Sequence, residues 1–434
     1  MLKVSIVILT LNQFAHTIRC LESIRKYTTE PYELIVVDNG STDLTLSYLR
    51  MQSDVILIEN AVNAGFSKGC NQGAALATGD HILYLNNDTI VTPNWLTNML
   101  RVLHSSEDVG MVGPFTNYSS AHQQIPVTYT DLWDLNNFAK EHEHKFAGTV
   151  TEVRRLVGFC MLMKRSVVEE VGGFDERYGL GNYEDDDLCL RTANAGYRML
   201  IANDSFIHHV GHVTTNQLEQ SSLMMLLHTN REQARRKWGA DIFDLLYKAE
   251  STITFCIRWR ERTEPLQACI ASIHEVANEI IIYNCTGEQR EDVELETSVP
   301  IRWIHATEDM EAGEAFIIRQ GSEQATQEYI FLIDASEYLA APERRQLRAL
   351  KRSLDPEVNA VWMLGEAKQD GLHETGGERL RLIRRNAQVP NLNEISLTEY
   401  DAKQGDTTQH IKSEIRVASF AESLNVKSLN FTAS

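Results

Sequence analysis

The chain has 434 residues, 43% hydrophobic and 23% charged, the composition of a globular protein long enough for two or three domains. Its 60 Asp and Glu against 41 Lys and Arg give a formal charge of -19, which excludes general attraction to nucleic acid or anionic lipid because phosphate backbones reward clustered cations. No apolar run approaches the roughly 18 residues of a membrane span. The seven cysteines contain no CxxC pair and read as reduced core thiols, so the expected location is cytoplasmic, with a peripheral position at the inner membrane face as the alternative.

The apolar run at the N-terminus is broken by Asn12 and Gln13 with no small-residue cleavage site behind it, and reads as a strand rather than a leader. Strand-like runs follow at Glu33 to Val37, Val55 to Ile58 and His81 to Leu85. Between them Ile18, Leu21 and Ile24, then Phe66, Cys70, Ala74 and Ala77, recur at helical spacing. Alternating strand and helix predicts βαβ units in a mainly parallel α/β sheet covered on both faces. Ligands of such sheets bind beyond the carboxyl ends of the strands, which makes Thr10 to Asn12, Asp38 to Asp43 and Asn86 to Asp88 one group. Residues 115 to 155 lose periodicity and read as a long loop or lid. Order resumes at Val157 to Met163, and Leu218 to Lys248 reads as one or two amphipathic helices.

From Ser251 the chain repeats itself. VSIVILTLNQ is echoed by TITFCIRWRE, YELIVVDNGSTD by NEIIIYNCTGE, and AGFSKGCNQGAALATGDHILYLNND by AGEAFIIRQGSEQATQEYIFLIDAS, in the same order and spacing. The chemistry is not repeated. Asn284 stands where the first copy has Asp38, Asp334-Ala335-Ser336 stands for Asn-Asn-Asp, and no counterpart of the acidic run at 184 to 187 follows.

Candidate chemistry lies in the first copy. Asp38 either caps its turn or accepts the imide N–H of a uracil or thymine. Asp88, at a strand end, suits Mg2+ or Mn2+, hard ions that take oxygen ligands and bridge phosphates. Glu184-Asp185-Asp186-Asp187 opens a helix, where the macrodipole favours one or two carboxylates; four in succession want a further task, such as deprotonating an attacking hydroxyl. His208 directly follows an apolar strand and could add a nitrogen ligand beside Asp88, whereas His209 and His212 read as structural.

Seven segments in order, VSIVILTLNQ, LIVVDNGSTD, NAGFSKGCNQG, YLNND, GFCMLMKRSVVEEVGGFDERY, NYEDDDLCLRTANAGYR and SFIHHVGH, resemble the family 2 glycosyltransferases of the GT-A fold, particularly the rhamnosyltransferase-like bacterial members. The resemblance implies an inverting transfer from a UDP- or dTDP-sugar to a hydroxyl of a glycan, lipid-linked or protein acceptor. It implies a nucleoside pocket of Thr10, Asn12 and Asp38, with Asn63, Gly65, Asn71 and Asn87 toward the base, ribose or diphosphate. It further implies a metal at Asp88 and His208, Asp185 as general base beside Glu184, Gly158 and Phe159 on the acceptor side, and Asp187 orienting the acceptor or the helix. Asn86 departs from the family's first acidic position. The expected organisation is a catalytic GT-A domain at 1–217, a helical linker at 218–250 and a degenerate GT-A-like domain at 251–434 that serves acceptor binding or forms a homodimer. Competing readings are a nucleotidyltransferase, disfavoured because TLNQFAHT lacks the Gly-rich basic phosphate loop, and a catalytically inactive nucleotide-sugar scaffold or sensor.

Overall fold

The computed structural model describes residues 2–120, 122–211, 220–260, 265–286, 295–305, 314–354, 358–369, 372–385 and 409–419. The chain divides into two compact units, Met1–Lys248 and Ala249–Ser434. His212 and parts of the repeated segments, at 261, 287–288 and 312–313, lie outside the described residues.

The first unit opens with β1 (Val4–Thr10), α1 (Phe14–Tyr27), β2 (Tyr32–Asp38), α2 (Thr45–Leu49), β3 (Val55–Glu59), α3 (Phe66–Leu76) and β4 (His81–Asn86). These strands pair in parallel in the order β3-β2-β1-β4. Along β1, Ile6 and Ile8 enter the core beneath α1 while Val7 enters the opposite core beside Cys70 of α3, as the two-residue period of a strand requires. Both faces of β1, β2 and β4 are covered along their middles, which explains the apolar runs at 6–9, 34–37 and 82–85.

The chain then runs through β5 (Thr89–Val91), α4 (Trp95–Leu103), β6 (Val109–Thr116), α5 (Leu135–Phe146), β7 (Val150–Val153), β8 (Cys160–Lys164), α6 (Arg165–Val171), α7 (Glu184–Asn194) and β9 (Arg198–His209). The sheet continues β4-β8-β6-β9-β5, with β7 on β9. Only β6 and β9 pair in parallel here, so the whole sheet is mixed. The segment expected as a structureless lid holds α5 and β7. Its helix hides its period because Leu135, Ala139 and His142 share the buried face, with His142 Nε2 bonded to the Asn203 carbonyl at 2.6 Å. A buried histidine among charged neighbours does not read as apolar.

Helices α8 (Gln220–Trp238) and α9 (Ile242–Leu246) cover the segment expected as a linker. Ala234, Ile242 and Leu246 are buried in the same cluster as Leu188 and Cys189 of α7, so both helices belong to the first unit. Among the described residues no helix is long and apolar enough to cross a membrane.

The second unit contains β10 (Ile253–Trp259), α10 (Leu266–Ile273), β11 (Glu279–Asn284), β12 (Ile301–His305), α11 (Glu314–Gln324), β13 (Tyr329–Asp334), β14 (Glu337–Tyr338), α12 (Ala341–Ser353), β15 (Val358–Gln369), β16 (Leu372–Arg384) and β17 (Gln409–Ser419). Its strand order is β12-β11-β10-β13-β16-β15-β17-β14. Position by position this is the order of the first sheet without β7, and every pair runs in the same relative direction. The registers fix the correspondence. Thr10 pairs with Asp38 as Trp259 pairs with Asn284, and Leu9 with Asn86 as Arg258 with Asp334.

Candidate active site

A cavity of about 530 Å³ opens at the carboxyl ends of the first sheet. Asn87 and Asp88 reach it from the end of β4, Gly158 and Phe159 from the turn before β8, Glu184, Asp185 and Asp186 from the first turn of α7, and His209 from the end of β9. Segments far apart in the chain therefore meet at one crevice.

The first turn of α7 is set by an unusual approach. Gly179 and Gly181 take positive φ, and Asn182 and Tyr183 follow at φ 73° and 78°. Left-handed backbone at two successive residues with side chains costs on the order of 1–3 kcal/mol each and persists only where neighbours over-determine it. Asn230 of α8 does so, its buried Nδ2 donating to the carbonyls of Tyr178 (2.9 Å), Gly181 (2.8 Å) and Asn182 (3.1 Å).

The four acids of this turn are all buried and are accommodated in different ways. Asp187 receives Lys237 Nζ, Trp238 Nε1, Arg191 Nε and the Tyr178 hydroxyl. Asp186 is ion-paired with Arg155. Asp185 accepts two backbone N–H groups, Gly158 on Oδ2 at 3.1 Å and Asp186 on Oδ1 at 2.9 Å. Glu184 Oε2 is buried without a hydrogen-bond partner. Burial and the neighbouring Asp185 push Glu184 well above the usual carboxylate range, and the same two causes push Asp186 up to about 7 against the pull of Arg155.

On the same cavity wall Asp88 Oδ1 lies 3.3 Å from His209 Nε2. His209 Nδ1 is 3.0 Å from the Tyr118 carbonyl, which can only accept, so Nδ1 carries a proton and Nε2 is the ring nitrogen that faces Asp88. A contact this close needs a proton or a cation between the two atoms. Phe159 stacks on the same imidazole, centroids 5.0 Å apart and planes at 16°, and fixes its orientation. An oxygen and a nitrogen donor suit Mn2+ or Mg2+ with further ligands from phosphate and water. Among the described residues no group of three or more His, Cys, Asp or Glu could hold a metal without such help.

This corrects the expected pairing of Asp88 with His208. Neighbouring strand residues face opposite ways, and His208 Nδ1 instead meets the Tyr129 hydroxyl at 2.6 Å in a setting whose burial pushes the imidazole down to about 4. Asp187 does not line the cavity; Lys237 and Trp238 tie it to α8, which fits the second of its two expected roles, orienting the helix.

The residues expected at the nucleotide divide. Asn63 and Asn87 line the cavity, as does Asn39, which the sequence reading passed over. Asn39 Nδ2 donates to Asn63 Oδ1 at 3.0 Å, and Asn87 Nδ2 donates to Thr10 Oγ1 at 3.2 Å and Thr17 Oγ1 at 3.0 Å. Thr10 thus supports Asn87 from behind. Asp38 is fully buried; Oδ2 accepts the N–H groups of Gly40 and Ser41 while Oδ1 has no partner, so it caps the turn with one oxygen and keeps the other free. Asn12, Gly65 and Asn71 are off the cavity wall and hold the loops around it. Asn12 Oδ1 accepts the Thr42 N–H at 2.8 Å. Gly65, at φ +90°, packs so closely on Gly179 that a Cβ would come within 2.3 Å of its carbonyl oxygen. Asn71 exchanges hydrogen bonds with the backbone of Phe174.

Residues 5–172 match the model of Glycosyl transferase family 2. An N-acetylglucosaminyl-diphospho-decaprenol L-rhamnosyltransferase of Mycobacterium tuberculosis is 26% identical over 236 residues, 48% of this chain and 76% of that protein. A glucosyl-dolichyl phosphate glucuronosyltransferase of Haloferax volcanii is 27% identical over 222 residues, 48% of this chain and 69% of that protein. Among solved structures, a mannosyltransferase from Pyrobaculum calidifontis in complex with GDP-Man and Mn2+ aligns with a TM-score of 0.36 at 22% identity, covering 48% of this chain and 56% of that one. The sequence matches class the protein as a glycosyltransferase. Its first unit carries a Glycosyl transferase family 2 domain.

Proposed function

We propose that the first unit is an inverting glycosyltransferase that takes a sugar from a UDP- or dTDP-sugar and passes it to a hydroxyl of a lipid-linked or glycan acceptor. The observation that carries this reading is the meeting of Asp88, His209 and Asp185 around one cavity at the strand ends. Asp88 and His209 would hold Mn2+ or Mg2+, which would neutralise charge on a departing diphosphate. Asp38 Oδ1, without a partner but fully buried, would accept the imide N–H of a pyrimidine base once uncovered. Asp185, held by backbone N–H groups with its carboxylate on the cavity wall, takes the proton from the attacking hydroxyl, typically worth about 10² to 10⁴ in rate. A base on the face opposite the leaving group would let a single displacement invert the anomeric carbon. The lipid-phosphate relatives support a lipid-linked acceptor.

In the second unit Ser336 stands at the place of Asp88 and Asn284 at that of Asp38, which supports a non-catalytic copy serving acceptor binding. The test is a panel of UDP- and dTDP-sugars with Mn2+, scored for donor hydrolysis and for transfer to lipid-linked acceptors. Turnover in the wild type and its loss in Asp185→Asn, with donor binding kept, agrees with the proposal; normal turnover in Asp185→Asn assigns the base elsewhere.

A further inference from the structure

The cavity wall carries four carboxylates, Asp88, Glu184, Asp185 and Asp186, and among the described residues its one Lys or Arg is Arg155. Arg155 lies three residues before Gly158, in the turn that leads from β7 into β8. Its Nε pairs with Asp186, its Nη1 reaches the Ser120 carbonyl at 3.4 Å and Oγ at 3.3 Å, and its guanidinium sits over the Phe243 ring at 5.5 Å. One turn therefore grips two successive acids of α7, Arg155 on Asp186 and the Gly158 N–H on Asp185. The Asp186 N–H in turn donates to Asp185 Oδ1 at 2.9 Å, which links the two residues. The same turn joins the metal side, since the Phe159 carbonyl accepts the Asn86 N–H at 2.9 Å.

We propose that Arg155 is a positioning residue of the transfer reaction, gripping Asp186 so that the adjoining Asp185 carboxylate stays directed at the acceptor hydroxyl. Four buried acids side by side repel one another, and the guanidinium is the cation that holds this pair in register. The proposal rests on the reading of Asp185 as the base. A base displaced by about 1 Å loses on the order of 10²-fold in rate without touching the donor.

The experiment is steady-state kinetics of the full chain with Mn2+ for Arg155→Met, Arg155→Lys and, separately, Asp185→Asn. Arg155→Met is expected to lower kcat on the order of 10²-fold with donor KM within about twofold. Arg155→Lys is expected to keep most of the rate, and guanidinium ion at non-denaturing concentration to restore part of it to Arg155→Met. Unchanged kcat in Arg155→Met, a KM that rises in step with the loss, or a Lys variant as inactive as the Met variant and no response to guanidinium would each overturn the proposal. An active Asp185→Asn sinks the underlying assignment of the base, whereas an inactive Asp185→Asn beside an active Arg155→Met sinks only the role of Arg155.

Discussion

Glu33 of the first unit and Glu279 of the second occupy the same place on their sheets and keep the same company. Glu33 takes the hydroxyl of Ser5 and the N–H and hydroxyl of Thr78; Glu279 takes the hydroxyl of Thr254 and the N–H and hydroxyl of Thr326. Cys20 and Cys269 each direct a thiol at the carbonyl that ends the fourth strand, that of Asn86 or Asp334. Ser23 and Ser272 bridge their helix to the next short strand in the same way. Gly73 and Gly321 let a helix close on Val7 and Cys256, the matching strand residues.

The strand ends tell the opposite story. Where the first unit has Leu9 and Asn86 beside an open cavity, the second has Arg258 bound through two nitrogens to Asp334 at 2.5 and 2.9 Å, with Arg381 on Glu337 next to it. Among the described residues the space beside that pair is about 10 Å³, against about 530 Å³ in the first unit. The comparison teaches that the residues that build this sheet and the residues that line its crevice are separable sets. The second unit keeps the builders and spends the crevice on internal ion pairs.

The largest effect that tests this separation is on rate. Asp185→Asn is expected to slow transfer by about 10² to 10⁴ while nucleotide-sugar binding persists in a thermal-shift assay. Next, Asp334→Ala removes the carboxylate that Arg258 holds through two nitrogens and is expected to destabilise the second unit by about 3 kcal/mol in denaturant unfolding, with donor hydrolysis unchanged. A slower hydrolysis in that variant would break the comparison. Smaller and symmetric losses, about 1–3 kcal/mol each, are expected for Glu33→Gln and Glu279→Gln, each in the melting of its own unit; a loss in only one would show that the shared hydrogen bonds are not equivalent.

The smallest effect is a pair of opposite pH slopes. Glu184 and Asp186 have carboxyls raised on folding by burial and Asp185. A raised carboxyl stabilises the fold fully below its unfolded value near 4, and that contribution is lost as pH rises through the folded value. The first unit should therefore lose stability as pH rises from about 4 toward 7 and beyond, and Glu184→Gln should flatten that slope, raising its melting point by a few degrees at pH 8 and not at pH 4. Burial opposes the ionisation of Asp334, but Arg258 outweighs it and holds the carboxyl below its ordinary range. Its contribution is present above about pH 4 and lost as pH falls below it. Calorimetry across pH reads both.

What the sequence made legible follows from range. The parallel strands and the helices between them are local patterns, and so are Asp88 and Asp185, which sit at element ends that sequence can locate. The choice between His208 and His209 is not local: it depends on the register of β9 against β5, which pairs His209 with Thr89 next to Asp88. Asn230, some fifty residues from the loop it steadies, gives no signal in sequence. Arg155 reads as an ordinary surface charge until the fold brings Asp186 to it. Asp187 stood between two readings, acceptor or helix, because only the fold brings Lys237 and Trp238 to it from α8.

Titration calorimetry of the full chain with UDP- and dTDP-sugars in the presence of Mn2+ tests the central claim most directly. One donor site per chain, abolished by Asp88→Ala, is the predicted result. A second site, or binding that survives Asp88→Ala, would contradict the division between a working crevice and a filled one.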